Sequence, residues 1–482
     1  MILEKNIIKI TAFLLVIIMF VQCEKDYTPE ENKNSGHRGN NLNTNCWTSI
    51  TDWTNLMSDS LLTINTIPAI PSVDSNYTNW LNNKYNRVVI RSLTSENYSD
   101  LQCLKQYIEN RSLVQLGESS HSTKEYSQIK IRLIKFLHEQ MGFDVIAFES
   151  GFFECFYTNE NILNFTETEA IKNSIFSIWG TPMIELFTYI KETQNTSHPL
   201  ILAGFDSQYT SANNSIRKRP MFLYNLISKV DTQYANKVRI FDSLTIQNFN
   251  YYSSSISYLN QYKDSIKSTY SQITSFINQH YDSLILYYPN NVIYPLVLKQ
   301  SIFSTIAYLN QLLFYFSSNR HASNTVRDSA MAANVCFLKE NLYPQKKIIL
   351  WEHNFHIANS EYLHAVEPDI KTTGIYLKEK YRTELYTVGL YMLRGKTKDY
   401  NWSIIDIPLP TSSNSLEAIL YQCRKKYIFV DLLHQNYCEG NMWMFHPISA
   451  KYSGYANESM ILRDVYDGII FIDSSSVPVY LP

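Results

Sequence analysis

From about residue 98 onward, short apolar runs alternate with longer amphipathic stretches, and nearly every short run stops at an acidic residue or a histidine. Apolar runs too short for helices read as strands buried on both faces, the mark of a parallel sheet covered by helices. Leu113–Leu116, Asp144–Phe148, Leu200–Phe205, Lys347–Trp351, Lys426–Val430 and Gly468–Ile472 have this character. Tyr98–Asn110, Ser122–Met141 and parts of Ala170–Asn195 have helical spacing instead; in the second, Tyr126, Ile129, Leu133, Phe136 and Leu137 recur every three or four residues. The expected fold class is therefore α/β: a mostly parallel sheet flanked by helices, with Leu113–Leu116, Asp144–Phe148 and Ile348–Trp351 as neighbouring parallel strands.

Strand signals vanish between about 215 and 320, where Ile256, Leu259 and Tyr262, or Ile306, Leu309 and Leu313, fall at helical spacing. This segment is expected to be a helical insertion roofing a crevice, splitting the α/β domain into residues 47–214 and 321–482. A first helix is expected over Trp47–Leu62. A hydrophobic content of 45% with 18% charged residues fits a folded globular chain. Lys and Arg number 42 against 44 Asp and Glu, with no basic run, so a nucleic-acid partner is not expected. The 36 Tyr and 24 Phe are assigned first to core packing.

Lys5 and Lys9 precede an apolar stretch, Ile10–Val21, and Cys23 is followed at once by Glu24, Lys25 and Asp26. The pattern resembles a bacterial lipoprotein signal, with residues 1–22 removed and Cys23 carrying the lipid. Residues 23–46 are polar and aperiodic and read as a tether. The expected location is the bacterial envelope, periplasmic or at the cell surface, with the membrane as a partner through the lipid alone. The other cysteines, Cys46, Cys103, Cys155, Cys336, Cys423 and Cys438, match no metal or redox spacing and are expected to be mostly buried free thiols.

Chemistry concentrates in two segments that each follow an apolar run: Gly117-Glu118-Ser119-Ser120-His121 and Trp351-Glu352-His353-Asn354-Phe355-His356. In an open α/β sheet such strand ends line the active-site crevice. Other runs end at Glu149, Asp206, Asp431 and Asp473, all expected on one edge of the sheet. Ser122 and Glu125 have the spacing of a capping box, which would place His121 just before a helix N-terminus. There the helix dipole disfavours imidazolium, so His121 is expected to be a neutral general base whose tautomer Glu118 sets. His353 or His356 could carry a proton or steady an oxyanion. Alternatively Glu118, His121, His353 and His356 could hold a zinc ion. No Gly-x-Ser-x-Gly elbow, P-loop or Gly-x-Gly-x-x-Gly occurs, which disfavours a serine-esterase triad and nucleotide binding.

In combination these motifs resemble the erythromycin esterase family, from about Leu101 to Asp473. The family's Gly-Glu-x-x-His-Gly-Thr-x-Glu stretch is met by Gly117 to Glu125, with Ser122 in place of the second Gly, and its Trp-x-His-Asn-x-His by Trp351 to His356. Phe148-Glu149, Trp179 with Glu185, Gly204-Phe205-Asp206, Arg327-Asp328-Ser329-Ala330-Met331 with Asn334, and Gly374 with Leu377 are similar to further family segments. Lys130 stands where the family carries Arg, and Arg132 matches another basic position. The resemblance implies a hydrolase that opens an ester or macrolactone with histidine-activated water. His121 would be the base, Glu118 and Glu149 its charged partners, and His353 and His356 the second half of the site. Lys130, Trp179, Asp206 and Arg327 would bind a small-molecule ester or lactone. No cofactor is implied, with zinc the alternative, and an envelope-anchored ligand-binding or non-esterase member of the fold is the other function compatible with these residues.

The lipoprotein expectation has a direct check. Metabolic labelling with a palmitate analogue should tag the wild-type protein and not Cys23→Ala; equal labelling of both removes the lipid anchor.

Overall fold

The computed structural model describes residues 56–249, 253–288, 292–360, 370–399 and 401–481. The signal segment, the tether, Cys23 and Cys46 lie outside the described residues. So does most of the helix expected over Trp47–Leu62, whose described end, residues 56–62, is extended chain and turn.

The described residues form eleven strands: β1 (Val88–Val89), β2 (Leu113–Leu116), β3 (Phe143–Gly151), β4 (Ile201–Asp206), β5 (Lys347–Trp351), β6 (Leu385–Lys398), β7 (Ile404–Asp406), β8 (Tyr427–Asp431), β9 (Ile448–Tyr452), β10 (Ala456–Met460) and β11 (Gly468–Ser475). The main sheet runs β1-β8-β11-β6-β2-β5-β3-β4, with β7 paired to β6 and β9–β10 forming a separate hairpin. From β11 to β4 all neighbours are parallel; β8 is antiparallel to β11 and β1 antiparallel to β8. β5 lies between β2 and β3, in register Leu116↔Trp351↔Phe148, so these three strands are neighbours as the sequence implied.

Both faces of the sheet are buried, which is why the strands read as continuous apolar runs. Val145 and Ala147 of β3 with Ile348 and Leu350 of β5 pack beneath the helices of the insertion, through Leu223, Leu298 and Leu309. On the other side Ile428, Val430, Ile469 and Phe471 pack with Leu416, Ile419 and Leu420. The insertion is helical as expected, from Arg219–Ile227 to Tyr294–Phe316. It is tied internally by a fully buried ion pair, Arg219 Nη2 to Asp242 Oδ1 at 2.7 Å, to which Tyr270 donates a 2.7 Å hydrogen bond.

Four expectations need correction. β6 has no counterpart in the sequence reading, although it is the longest strand and lies between β11 and β2. Gly389, Gly395, Arg394 and the lysines after it break its apolar run. Tyr98–Asn110 is not one helix but a 3₁₀ turn, Ser99–Leu101, followed by a short helix, Leu104–Ile108. The capping box does not form: the long helix starts at Lys124 after Thr123, whose side chain makes no cap. Glu125 instead accepts hydrogen bonds from Ser476 N and Oγ at 2.6 and 2.7 Å, docking the chain beyond β11 onto the helix start. Finally Asp431 ends an antiparallel strand, so it faces the opposite sheet edge, bonded to Tyr386 at the beginning of β6.

Among the described cysteines all are free thiols; Cys103, Cys155 and Cys423 are buried and Cys438 is exposed. No helix among the described residues is long and apolar enough to cross a membrane.

Asn354 joins the loop after β5 to β6, its Nδ2 donating to Leu390 O at 2.9 Å and its Oδ1 accepting from Leu390 N at 3.1 Å. Gly117 makes room for this amide: a Cβ there would sit 2.2 Å from Asn354 Oδ1 and 3.2 Å from Val388 O. Gly117→Ala is therefore expected to cost about 1–3 kcal/mol, the range for overpacking a well-filled interior, measurable as a lowered denaturant midpoint.

Candidate active site

Four parallel strands deliver the site at their C-terminal ends: Glu118 and His121 after β2, Glu149 in β3, Asp206 ending β4, and His353 and His356 after β5. The helix Arg320–Phe337, which follows the insertion, brings Arg327 and Asp328 across to meet them.

Glu118 is fully buried and every oxygen is engaged. Oε1 accepts from His121 Nδ1 at 2.7 Å and from Trp179 Nε1 at 2.6 Å; Oε2 accepts from Lys130 Nζ at 3.0 Å. Burial alone would raise its pKa, but the Lys130 charge and the His121 and Trp179 hydrogen bonds outweigh it, so the carboxyl is held below its ordinary range. An ionised carboxylate only accepts, so His121 Nδ1 carries a proton. At 28% side-chain exposure His121 is the most open of the three site histidines. His121 stands two residues before the N-cap, Thr123, and its ring bonds the buried Glu118 carboxylate.

Lys130 is fully buried on the long helix, with its ammonium 4.1 Å above the ring of Trp351. Burial pulls its pKa down to about 8 against the opposing pull of Glu118. Trp351, Phe148 and Trp179 pack edge-on and tilted, at 5.3 and 5.6 Å between rings, into an aromatic floor that keeps water from this pair.

A second ionic cluster sits beside the first. Arg327 donates to Asp206 Oδ2 and to Glu149 Oε1, each at 2.7 Å. Glu149 Oε1 also lies 3.3 Å from His356 Nε2, and its Oε2 accepts from the His353 backbone N–H at 2.9 Å. Burial opposes ionisation of Glu149, but His356 and Arg327 hold it well below the usual carboxylate range. His356 Nδ1 bonds Asp328 Oδ1 at 2.8 Å. Burial lowers its pKa, yet Asp328 and Glu149 together raise it to about 9.

His353 is the opposite case. Burial, then the neighbouring His121, push its pKa down to about 3, so it is neutral. Its Nδ1 accepts from Phe355 N at 3.1 Å, which puts the ring proton on Nε2. The His121 and His353 rings are 5.1 Å apart between centroids. The crevice thus sets the His121 ring, bonded to Glu118 through Nδ1, beside the Nε2–H of His353.

Lys130 and Trp179, expected to bind substrate, are 1% exposed or less and can reach it only through Glu118. Asp206 is likewise buried, holding Arg327. Glu185 is not in the site; it pairs with Lys135 at 2.9 Å and is 42% exposed. Arg132 anchors the preceding segment through Asp100 at 2.6 Å and does not touch Glu118. Asp328, which bonds His356, belongs to the cluster in a part the sequence did not reveal, although it adjoins Arg327. Glu352 lies beneath the crevice, fully buried, accepting from Gln115 at 2.9 Å; burial raises its pKa to about 8. The zinc alternative fits poorly, because hydrogen bonds from His121, Trp179 and Lys130 take up the oxygens of Glu118, and His356 is bound at both nitrogens.

The erythromycin esterase family model matches residues 138–475. A putative hydrolase of Bacillus subtilis (strain 168), YbfO, is 33% identical over 392 residues, 78% of this chain and 86% of that protein. A Bacillus cereus protein of known structure superposes with a TM-score of 0.71 at 17% identity, covering 84% of this chain and 99% of its own. A mutant of the erythromycin esterase EreC, in its open conformation, superposes with a TM-score of 0.58 at 19% identity, covering 79% and 95%. At these identities the two structures bear on the fold, which is the same mostly parallel, helix-flanked sheet.

Removing the Lys130 charge leaves Glu118 buried without its cation. Lys130→Met is expected to lower stability by about 3–5 kcal/mol, the cost of breaking one side of a buried pair, read from equilibrium denaturation.

Proposed function

Because the chain belongs to the erythromycin esterase family of hydrolases, we propose that it cleaves a carboxylic ester, opening an ester or macrolactone with water activated by His121 and without a metal ion. The observation that carries this is the Glu118–His121 pair, in which an ionised, buried carboxylate fixes the proton on Nδ1 and leaves Nε2 basic.

Water held at Nε2 gives up a proton as its oxygen forms a bond to the ester carbonyl carbon. The imidazolium so formed is stabilised by Glu118, whose charge Lys130 maintains. The carbonyl oxygen becomes an oxyanion that the Nε2–H of His353 meets with a hydrogen bond. Collapse breaks the bond to the leaving alkoxide, which takes its proton from His121, returning the ring to its starting state. His356 does not carry the reaction's proton; with Arg327 it holds Glu149, which in turn fixes the His353 backbone.

The test is a screen of macrolides and model esters by mass spectrometry, reading addition of one water. His121→Ala should fold and lose about 10²–10⁴ in rate, the usual worth of a positioned general base. Unchanged hydrolysis by that variant, or saturable binding with no turnover of any ester by the wild type, refutes the scheme. The same assay gives a pH profile. Lys130 and His356 are cationic below about 8 and 9, so kcat/KM should fall as pH rises through that window, when Glu118 and then Glu149 each lose one cationic partner.

A further inference from the structure

At the opposite edge of the sheet three side chains converge that the reaction does not use. His138 lies in the last turn of the helix Lys124–Met141, Asp144 near the start of β3, and His198 on the loop before β4. Among the described residues this is the one group of three His, Cys, Asp or Glu with ligand atoms all within 4.8 Å of one another. Asp144 and Glu149 are five residues apart on one strand, about 17 Å at the rise of extended chain, so the group is separate from the crevice.

His138 is 4% exposed. Its Nδ1 is 2.6 Å from Tyr189 Oη, which in turn donates to Glu139 Oε1 at 3.1 Å. With the Tyr proton on Glu139, Nδ1–H donates to Tyr189 and Nε2 holds a lone pair. That Nε2 is buried and faces the His198 backbone without a well-aligned hydrogen bond. Leaving a buried acceptor unpaired costs about 1–3 kcal/mol. Asp144 divides its oxygens: Oδ2 takes Lys346 Nζ at 3.1 Å, while Oδ1 is buried, without a hydrogen bond, and pairs with His198 Nε2. An outward chain of carboxylate, tyrosine and histidine behind a free imidazole nitrogen is how metal-ligating histidines are oriented.

We propose that His138, Asp144 and His198 bind a first-row divalent cation, for which zinc is the reference, with solvent completing the tetrahedron. The ion would pin the end of the long helix to the entries of β3 and β4, a structural role distinct from ester hydrolysis. The two imidazoles stack as placed, 4.5 Å between centroids and 3° from parallel. In-plane coordination of one ion by both rings requires one to turn, and His198, 45% exposed on its loop, has the space. The metal therefore replaces both the stack and the His198–Asp144 contact.

The full chain, stripped with a chelator, is dialysed against zinc and analysed for bound metal, alongside His138→Gln, Asp144→Asn, His198→Ala and His353→Ala. Wild type and His353→Ala should each hold a single zinc ion. The three ligand variants should bind at least about tenfold more weakly, since loss of an outer partner alone costs that much. Zinc should raise the unfolding temperature of wild type and not of His198→Ala, which changes only a surface loop and so folds even if His138→Gln does not. No zinc on the wild type, equal binding by His198→Ala, or loss of zinc in His353→Ala each overturns the proposal. Stoichiometry is read directly, so the result stands whether or not an ester substrate is found.

Discussion

Burying a carboxylate is costly unless cations and hydrogen bonds meet each of its oxygens, and this chain buries several together at one sheet edge. Glu118 is satisfied by Lys130, His121 and Trp179; Glu149 and Asp206 are satisfied by Arg327. Each cation comes from a different element than its anion: Lys130 from the long helix after β2, Arg327 from the helix after the insertion. The site therefore exists only when the sheet and both of these helices are assembled. Removing one partner leaves a charge in an apolar setting, which ties the chemistry of the crevice to the integrity of the fold.

The same arrangement separates the three histidines by environment. His353, buried among other imidazoles, stays neutral and donates from Nε2; His356, between two carboxylates, is held protonated. His121 bonds one ionised carboxylate and opens towards solvent. One residue type thus meets three environments at one sheet edge, and neighbouring charge and burial distinguish them.

The asymmetry between the two edges of the sheet is also electrostatic. At the C-terminal edge Glu118, Glu149 and Asp206 are matched to cations. At the N-terminal edge of β3, His138 Nε2 is buried without a well-aligned hydrogen bond, and Asp144 is shared between His198 and Lys346.

Six strands of the main sheet were legible because each is a short run of apolar residues, and burial on both faces leaves no other pattern. Glu118, Glu149, Asp206, His121, His353 and His356 were legible as well, since residues at the ends of parallel strands share an edge whatever the rest of the chain does. That rule misplaced Asp431, because strand direction is decided by pairing, and β8 runs antiparallel. β6 was hidden since its glycines and basic end mimic a loop, and only its position between β11 and β2 buries it. Sequence spacing offered a capping box at Ser122 and Glu125, but Glu125 found a better partner in Ser476, some 350 positions away. What the sequence by itself determined is which residue types stand at the strand ends. Which of them are base, donor or counter-charge was decided by tertiary structure, because a side chain's protonation follows from what surrounds it in space and not from its neighbours along the chain.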